Sequence, residues 1–227
     1  ISLSTFIQHP NVSKMCGRFS FSLSYEKIRQ QLDIEAGVIP EPNYNIAPTQ
    51  EALVISNEYP DQLQFFRWGL IPFWAKDVKI SYKMITARLE TITEKPSFRN
   101  AVQKRRCLVP FDGFYEWKKT EHGKQPYYIY LENQQPFAMA GIWDSYQEQQ
   151  SMALITTQAN SLMQSIHDRM PVIIPVEHWD LWLDDDTPIQ QLTGLLTPFQ
   201  ADTMLSYPVS QAVNSPRHNY KELLNRI

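Results

Sequence analysis

Cysteine is scarce in this chain. Of 227 residues only Cys16 and Cys107 carry a thiol, which excludes a disulfide-built scaffold and a zinc site made of four cysteines. Neither lies in a Cys-x-x-Cys pair, and His9, His122, His167, His178 and His218 show no pair at ligand spacing, so no metal is expected. Glycine is scarce too: the seven present are scattered, with no G-x-G-x-x-G or Walker pattern to cradle phosphates, and no nucleotide cofactor is expected. Charge of one sign is not in excess. A net charge of −3 gives no global attraction to nucleic acid, so any hold on a phosphate backbone must come from a local group of Lys and Arg. Long apolar runs are missing as well. The opening stretch ISLSTFIQHPNVSK has no basic start, apolar core or small-residue cleavage site, which excludes a secretory signal and a membrane anchor. The expectation is a cytoplasmic protein in which residues 1–14 are a leader or remnant outside the mature chain and residues 15–227 form a single domain.

What is present favours a β-rich core. Hydrophobic residues make up 43% of the chain and aromatics 12%, enough for one core, and sixteen prolines suggest short elements joined by rigid loops. Ser24 reads as the cap of a short helix with Tyr25, Ile28 and Leu32 on one face. PEPNYNIAPTQ then reads as a proline-punctuated loop. EALVIS, LQFFRWGLI, YKMITAR, RCLVPF, PYYIYL, FAMAGIW and MALITT read as strands. The last third turns helical: NSLMQSIH with Asn160 as cap, PVEHWDLWL, and TPIQQLTGLL with Thr187 as cap and Pro188 at the first helical position. Turns between the strands are too short for repeated crossover helices. The class expected is therefore α+β, a mostly antiparallel, curved or barrel-like sheet flanked by short helices.

Several polar residues are candidates for chemistry. SKMCGRF sets Cys16 directly after Met15, which reads as a start site with a segment left in front; loss of the methionine would make Cys16 the first residue. FYEWKK sets Glu116 between Tyr115 and Trp117, where a desolvated carboxylate would have a raised pKa suited to proton transfer; an exposed glutamate on an alternating strand is the plainer alternative. IHDRMPV groups His167, Asp168 and Arg169 before a Met-Pro break, and His167 can shuttle a proton near neutrality or simply cap a helix. Tryptophans interleaved with arginines suit single-stranded nucleic acid, with bases stacked and phosphates paired, although any one tryptophan is more often core.

Taken together, MCGRF, YNIAPTQ, RWGLIPFWA, TARLET, FYEWKK, IHDRMPV and a closing YPVSQAVNSP stand in an order that resembles the SRAP family, the SOS response-associated peptidase domain proteins. The resemblance runs from Met15 nearly to the C-terminus. It implies a single α+β domain with a barrel-like core, and a DNA damage response protein that captures abasic sites in single-stranded DNA covalently, including at single-strand/double-strand junctions, without a cofactor and as a monomer. The cysteine after the initiator becomes the N-terminus, and its amine and thiol close a thiazolidine on the aldehyde of the opened sugar through a Schiff base, a lyase-like route. Cys16 matches that residue. Glu116 matches the glutamate that deprotonates the amine, and His167 the histidine that assists sugar opening. Arg18, Arg88 and Arg169 match as phosphate contacts, and Pro48, Trp68 and Trp117 as stacking contacts. Self-cleavage before Cys16 is implied too.

The terminus matters for a physical reason. An α-amino group with a pKa of about 7.8 is roughly a third neutral near pH 7.5, whereas a lysine at about 10.4 is neutral about 0.1% of the time. Two departures from the family pattern stand out: Thr86 replaces the Asn of NAR-E, predicting slower crosslinking, and residues 1–15 block the amine until cut away. Two rival readings differ in outcome. A thiol peptidase with Cys16 as nucleophile, His167 as base and Glu116 as orienter would turn over on other proteins. A plain single-stranded DNA-binding module would tolerate Cys16→Ala.

Overall fold

The computed structural model describes residues 16–23, 34, 40–132 and 137–227; the helix expected from Ser24 onward, with Tyr25, Ile28 and Leu32, lies outside them. Among the described residues the strands follow the chain as β1 (Phe19–Phe21), β2 (Asn43–Ile46), β3 (Glu51–Ser56), β4 (Tyr59–Trp68), β5 (Thr86–Arg88), β6 (Arg106–Phe111), β7 (Gly113–Thr120), β8 (Gly123–Leu131), β9 (Phe137–Tyr146), β10 (Gln149–Gln158), β11 (Arg169–Pro171), β12 (Ile173–Ile174) and β13 (Met204–Pro208). One sheet runs β13-β8-β7-β1-β2, antiparallel throughout. In the other, β10-β4-β3-β6-β9 closes on itself into a five-stranded barrel because β9 also pairs with β10, the closure at β4 being made by Arg67 and Trp68 alone. The α+β, barrel-like expectation is met. Antiparallel pairing prevails, and its exceptions are the parallel contacts that β10 makes with β4 and β5.

Those exceptions bring distant motifs together. β9 and β10 pair only over part of their length, and β11–β12 fills the wedge where they part: β11 pairs with Thr156–Gln158 and β12 with Ala138–Met139. Val172 bridges the two, donating to Ile155 O at 2.9 Å and accepting from Ala140 N at 2.8 Å. The C-terminal half of β10 thus has β5 along one edge and β11 along the other, so the TAR and HDRMP motifs become neighbours.

Burial explains which strands were readable. β6 is buried at every position and β9 from Phe137 to Asp144, so both appear in the sequence as continuous apolar runs. β7 lies between two clusters: Phe114 joins the main core, while Tyr115 packs with Tyr128, Val209, Val213 and Leu223 on the other face. Alternation then turns Glu116 to the Phe114 side and Trp117 to the Tyr115 side.

Several elements are shorter than the sequence suggests. LQFFRWGLI stops as a strand at Trp68 because Gly69 takes φ +126°, and a β-carbon there would meet Ser81 O at 2.8 Å. YKMITAR contributes only Thr86–Arg88, its start being wound into a 3-10 turn at Val78–Lys83. Asn160 does cap a helix, accepting from Met163 N at 2.9 Å, but that helix is the single turn Ser161–Gln164. PVEHWDLWL splits into a 3-10 turn at Val176–His178 and a helix at Trp179–Leu183. In TPIQQLTGLL the cap position falls on Pro188, not Thr187, and Ile189–Leu192 is 3-10. None of the described helices is long and apolar enough to cross a membrane.

Candidate active site

Antiparallel pairing of β1 with β7 builds the site's floor. Phe19 stands opposite Phe114, and the Tyr115 amide donates to Arg18 O at 2.9 Å, which carries the chain before β1 alongside Glu116. Cys16 N donates to Glu116 Oε2 at 2.9 Å, and the Trp117 amide donates to Oε1 at 3.3 Å. Both Cys16 and Glu116 are 2% exposed. Burial pushes the Glu116 carboxyl above its usual range, opposed by His167, the two amide donors and Lys124. The desolvation comes from the core beneath β7 and not from the flanking aromatics, which face the other way. Burial likewise pushes the Cys16 thiol well up, and Glu116 adds to this while Arg169 opposes it, so the sulfur stays protonated near neutral pH. Cys16 takes φ +45°, a left-handed backbone that costs a residue with a β-carbon about 1 kcal/mol. Cys16 and Cys107 are both free.

Glu116 also lines a cleft of about 660 Å³, whose other walls include Trp117, Lys118, Lys119, Lys124, His167 and Asp168. His167 follows the turn Ser161–Gln164, its amide bonded to Met163 O at 2.7 Å. Its Nδ1 lies 2.9 Å from Asp168 Oδ1 and 3.2 Å from the Arg169 amide; a proton on Nδ1 serves the carboxylate, a lone pair serves the amide. The structure therefore brings Cys16, Glu116 and His167 to one place: the cysteine behind Glu116, the histidine across the cleft. Thr86, in β5 opposite Leu154 of β10, is half-buried.

The expected binding residues fall into two groups. Arg18 is half-buried, its NH1 donating to Asn45 Oδ1 and Val213 O, both at 2.6 Å, with the guanidinium 5.9 Å from the Trp117 ring centre. Trp117 is half-buried, its Nε1 bonded to Asn214 Oδ1 at 2.7 Å; Pro48 is half-buried and Arg88 exposed. These keep accessible surface. Arg169 does not offer a free charge: it is 8% exposed and its guanidinium is paired with both carboxylate oxygens of Glu90. The expectation for Trp68 is corrected. It is wholly buried, tilted 5.1 Å from Phe19, with Nε1 bonded to Ile85 O at 2.9 Å, so no ring face is left for a base. That bond pins Ile85, the residue before Thr86. In the same motif the exposed rings are Phe73 and Trp74, at 56% and 46%. Lys118, Lys119 and Lys124 form a local basic group on the cleft wall that is not among the expected binding residues, and its signal in the sequence is the KK that closes FYEWKK. Among the described residues no group of three or more His, Cys, Asp or Glu is placed to hold a metal.

Comparison with known proteins identifies the family. The family model for the SOS response associated peptidase (SRAP) matches residues 15–216. The chain is 45% identical over 223 residues to the abasic site processing protein YoaM of Bacillus subtilis, covering 93% of this chain and 98% of that one. It is 32% identical to the abasic site processing protein HMCES of Xenopus tropicalis, covering 82% of this chain and 67% of that one. Among solved structures, a crystal structure of a protein from Bacteroides thetaiotaomicron superposes with a TM-score of 0.85 at 31% identity, over 93% of this chain and all of that one.

Proposed function

Because this chain belongs to the SRAP family, we propose that it processes abasic sites in DNA, capturing the opened sugar through the amine and thiol of Cys16 once that residue is the N-terminus. The observation that carries the reading is the 2.9 Å contact from Cys16 N to the buried Glu116 carboxylate, which also forms a wall of the cleft. In the chain that begins at Cys16 this nitrogen is an amine. Glu116, with its raised pKa, takes a proton from the ammonium and leaves a neutral nucleophile. Attack on the aldehyde carbon C1′ forms the C–N bond, and loss of water gives the imine, with His167 placed to move the protons that ring opening and dehydration require. The protonated Cys16 sulfur then adds to the same carbon, its proton passing to the imine nitrogen, and the five-membered ring closes.

The names of the relatives support abasic-site processing, and the site's electrostatics favour an amine-first route over a peptidase one. A thiol peptidase works through a thiolate, and here burial and Glu116 both raise the thiol's pKa. Self-cleavage before Cys16 fits the backbone instead. The left-handed φ at Cys16 is defined by the bond to Met15, so cutting that bond releases its strain. The strand is held by the lysines: Lys119 and Lys124 stand directly opposite each other in the β7–β8 hairpin, a like-charge pairing that an intervening phosphate relieves. Phe73, Trp74 and Trp117 offer faces for bases at the lesion, and Arg18 and Arg88 further phosphate contacts. One monomer suffices for a single-stranded or junction substrate.

Protein beginning at Cys16, incubated with an abasic-site oligonucleotide and run on a denaturing gel, should give one slow band that Cys16→Ala does not form. Equal bands from both would overturn the chemistry. Unchanged non-covalent binding with no band from either would favour a plain DNA-binding module.

A further inference from the structure

The ion pair between Glu90 and Arg169 joins two motifs that lie about eighty residues apart in sequence. β5 and β11 run along opposite edges of β10, with Thr156 facing Arg88 on one side and Pro171 on the other. Just past β5, Glu90 sits in the 3-10 turn Leu89–Thr91 and reaches round the end of β10 to Arg169. The contact is two-pronged: NH1 bonds Oε1, and NH2 bonds Oε2 at 2.9 Å. NH2 also donates to Thr156 O at 2.7 Å and Thr156 Oγ1 at 3.2 Å, which ties the guanidinium to the strand between them. The backbone amide of the same arginine lies 3.2 Å from His167 Nδ1 and donates to it in the tautomer whose proton is on Nε2, the tautomer in which Asp168 Oδ1, 2.9 Å away, has no proton from Nδ1.

We propose that Glu90 is a positioning residue: acting through Arg169, it fixes the orientation of His167 relative to Thr86 at the reaction centre. This rests on the adduct-forming reading above. The pair is poorly suited to a purely stabilising role, because the Glu90 side chain is 42% exposed and half-open ion pairs contribute little to folding. What it supplies is geometry. A planar arginine fork held by both carboxylate oxygens and a strand carbonyl has one orientation, and it transmits that orientation to the amide that addresses the imidazole. Without the carboxylate the guanidinium is held by NH2 alone, through Thr156, and the His167–Arg169 corner loses half of its brace.

The test is single-turnover adduct formation by protein beginning at Cys16, with the abasic oligonucleotide varied in concentration. Glu90→Gln should lower the limiting rate about ten-fold while leaving the half-saturating DNA concentration within about two-fold, because misplacement of a proton-transfer group costs rate and not binding. Glu90→Asp should recover part of the rate, and Glu90→Gln should add nothing in an Arg169→Met background. A Glu90→Gln protein as fast as its parent, one changed only in half-saturation, or one whose loss repeats in full on Arg169→Met would overturn the proposal. So would unfolding of Glu90→Gln at the assay temperature, which would make the pair structural. A parent protein that forms no adduct would instead count against the proposed function, leaving a different result to read.

Discussion

Glu116 sets folding against chemistry at the scale of one residue. Its carboxyl holds a proton to higher pH in the folded chain than in the unfolded one. From the ordinary value of 4.5 up to the raised one, the native state therefore binds the extra proton and its stability falls as pH rises; above that window the penalty stays constant. Glu116→Gln removes this penalty. Near neutral pH it should hold or raise Tm, by about 2–4 °C for each kcal/mol recovered, and flatten the dependence of Tm on pH through the acid range. The same change should slow adduct formation by about a hundred-fold or more, since the amine loses its base. A lower Tm with undiminished crosslinking would be the opposite of this expectation. Thr86 offers a second residue-scale case. It presents a hydroxyl on a stiff side chain where the motif resemblance implies a carboxamide, so Thr86→Asn should quicken crosslinking, and a rate that does not rise in a time course would count against that position's role.

The strand β7 shows at the scale of elements how closely the site is built into the sheet. Gly113 opens it opposite Tyr130, and a β-carbon there would lie 2.4 Å from Tyr128 Cζ and 2.7 Å from Ile129 O. Gly113→Ala must push β8 away and disturb the 2.8 Å contact of Tyr128 with Ser20, so urea unfolding should show a loss of about 1–3 kcal/mol with weakened crosslinking. The legibility of the fold follows the same physics. β3 and β6 are legible to the residue because their burial is nearly continuous. β2 reads as loop in the sequence, since its NYNI is polar at two of four places and flanked by prolines; what holds it is Asn45, whose Nδ2 bonds Ser215 O and His218 O from the chain's far end. Such long-range partners leave no mark on local pattern. The short helices were over-read because apolar spacing does not reveal that β11 or a proline soon claims the chain. The grouping of candidate residues is more legible than the surface: Glu116 bonds Cys16 and shares a cleft with His167, whereas Trp68 and the exposed Trp74 of one motif cannot be sorted without knowing that Gly69 ends β4 between them.

For the whole molecule, a net charge of −3 coexists with a lysine-lined cleft, so the proposed function requires a local attraction to the phosphate backbone. Replacing Lys118, Lys119 and Lys124 together by Gln should weaken binding alike for all sequences and reduce the slope of log Kd against log salt by about 2, at about 0.7 per single-strand phosphate contact. Fluorescence anisotropy over a salt series reads this directly, and an unchanged slope would place the strand elsewhere. The barrel, the second sheet and the β11–β12 wedge together set one carboxylate and one imidazole on the walls of that cleft, with the Cys16 nitrogen bonded to the carboxylate from behind. The most direct test of the account is the intact mass of the product formed with an abasic oligonucleotide. Protein beginning at Cys16 should give the sum of the two masses less one water, and protein retaining Met15 should give no adduct; an adduct of equal yield from the Met15-bearing chain would contradict the account.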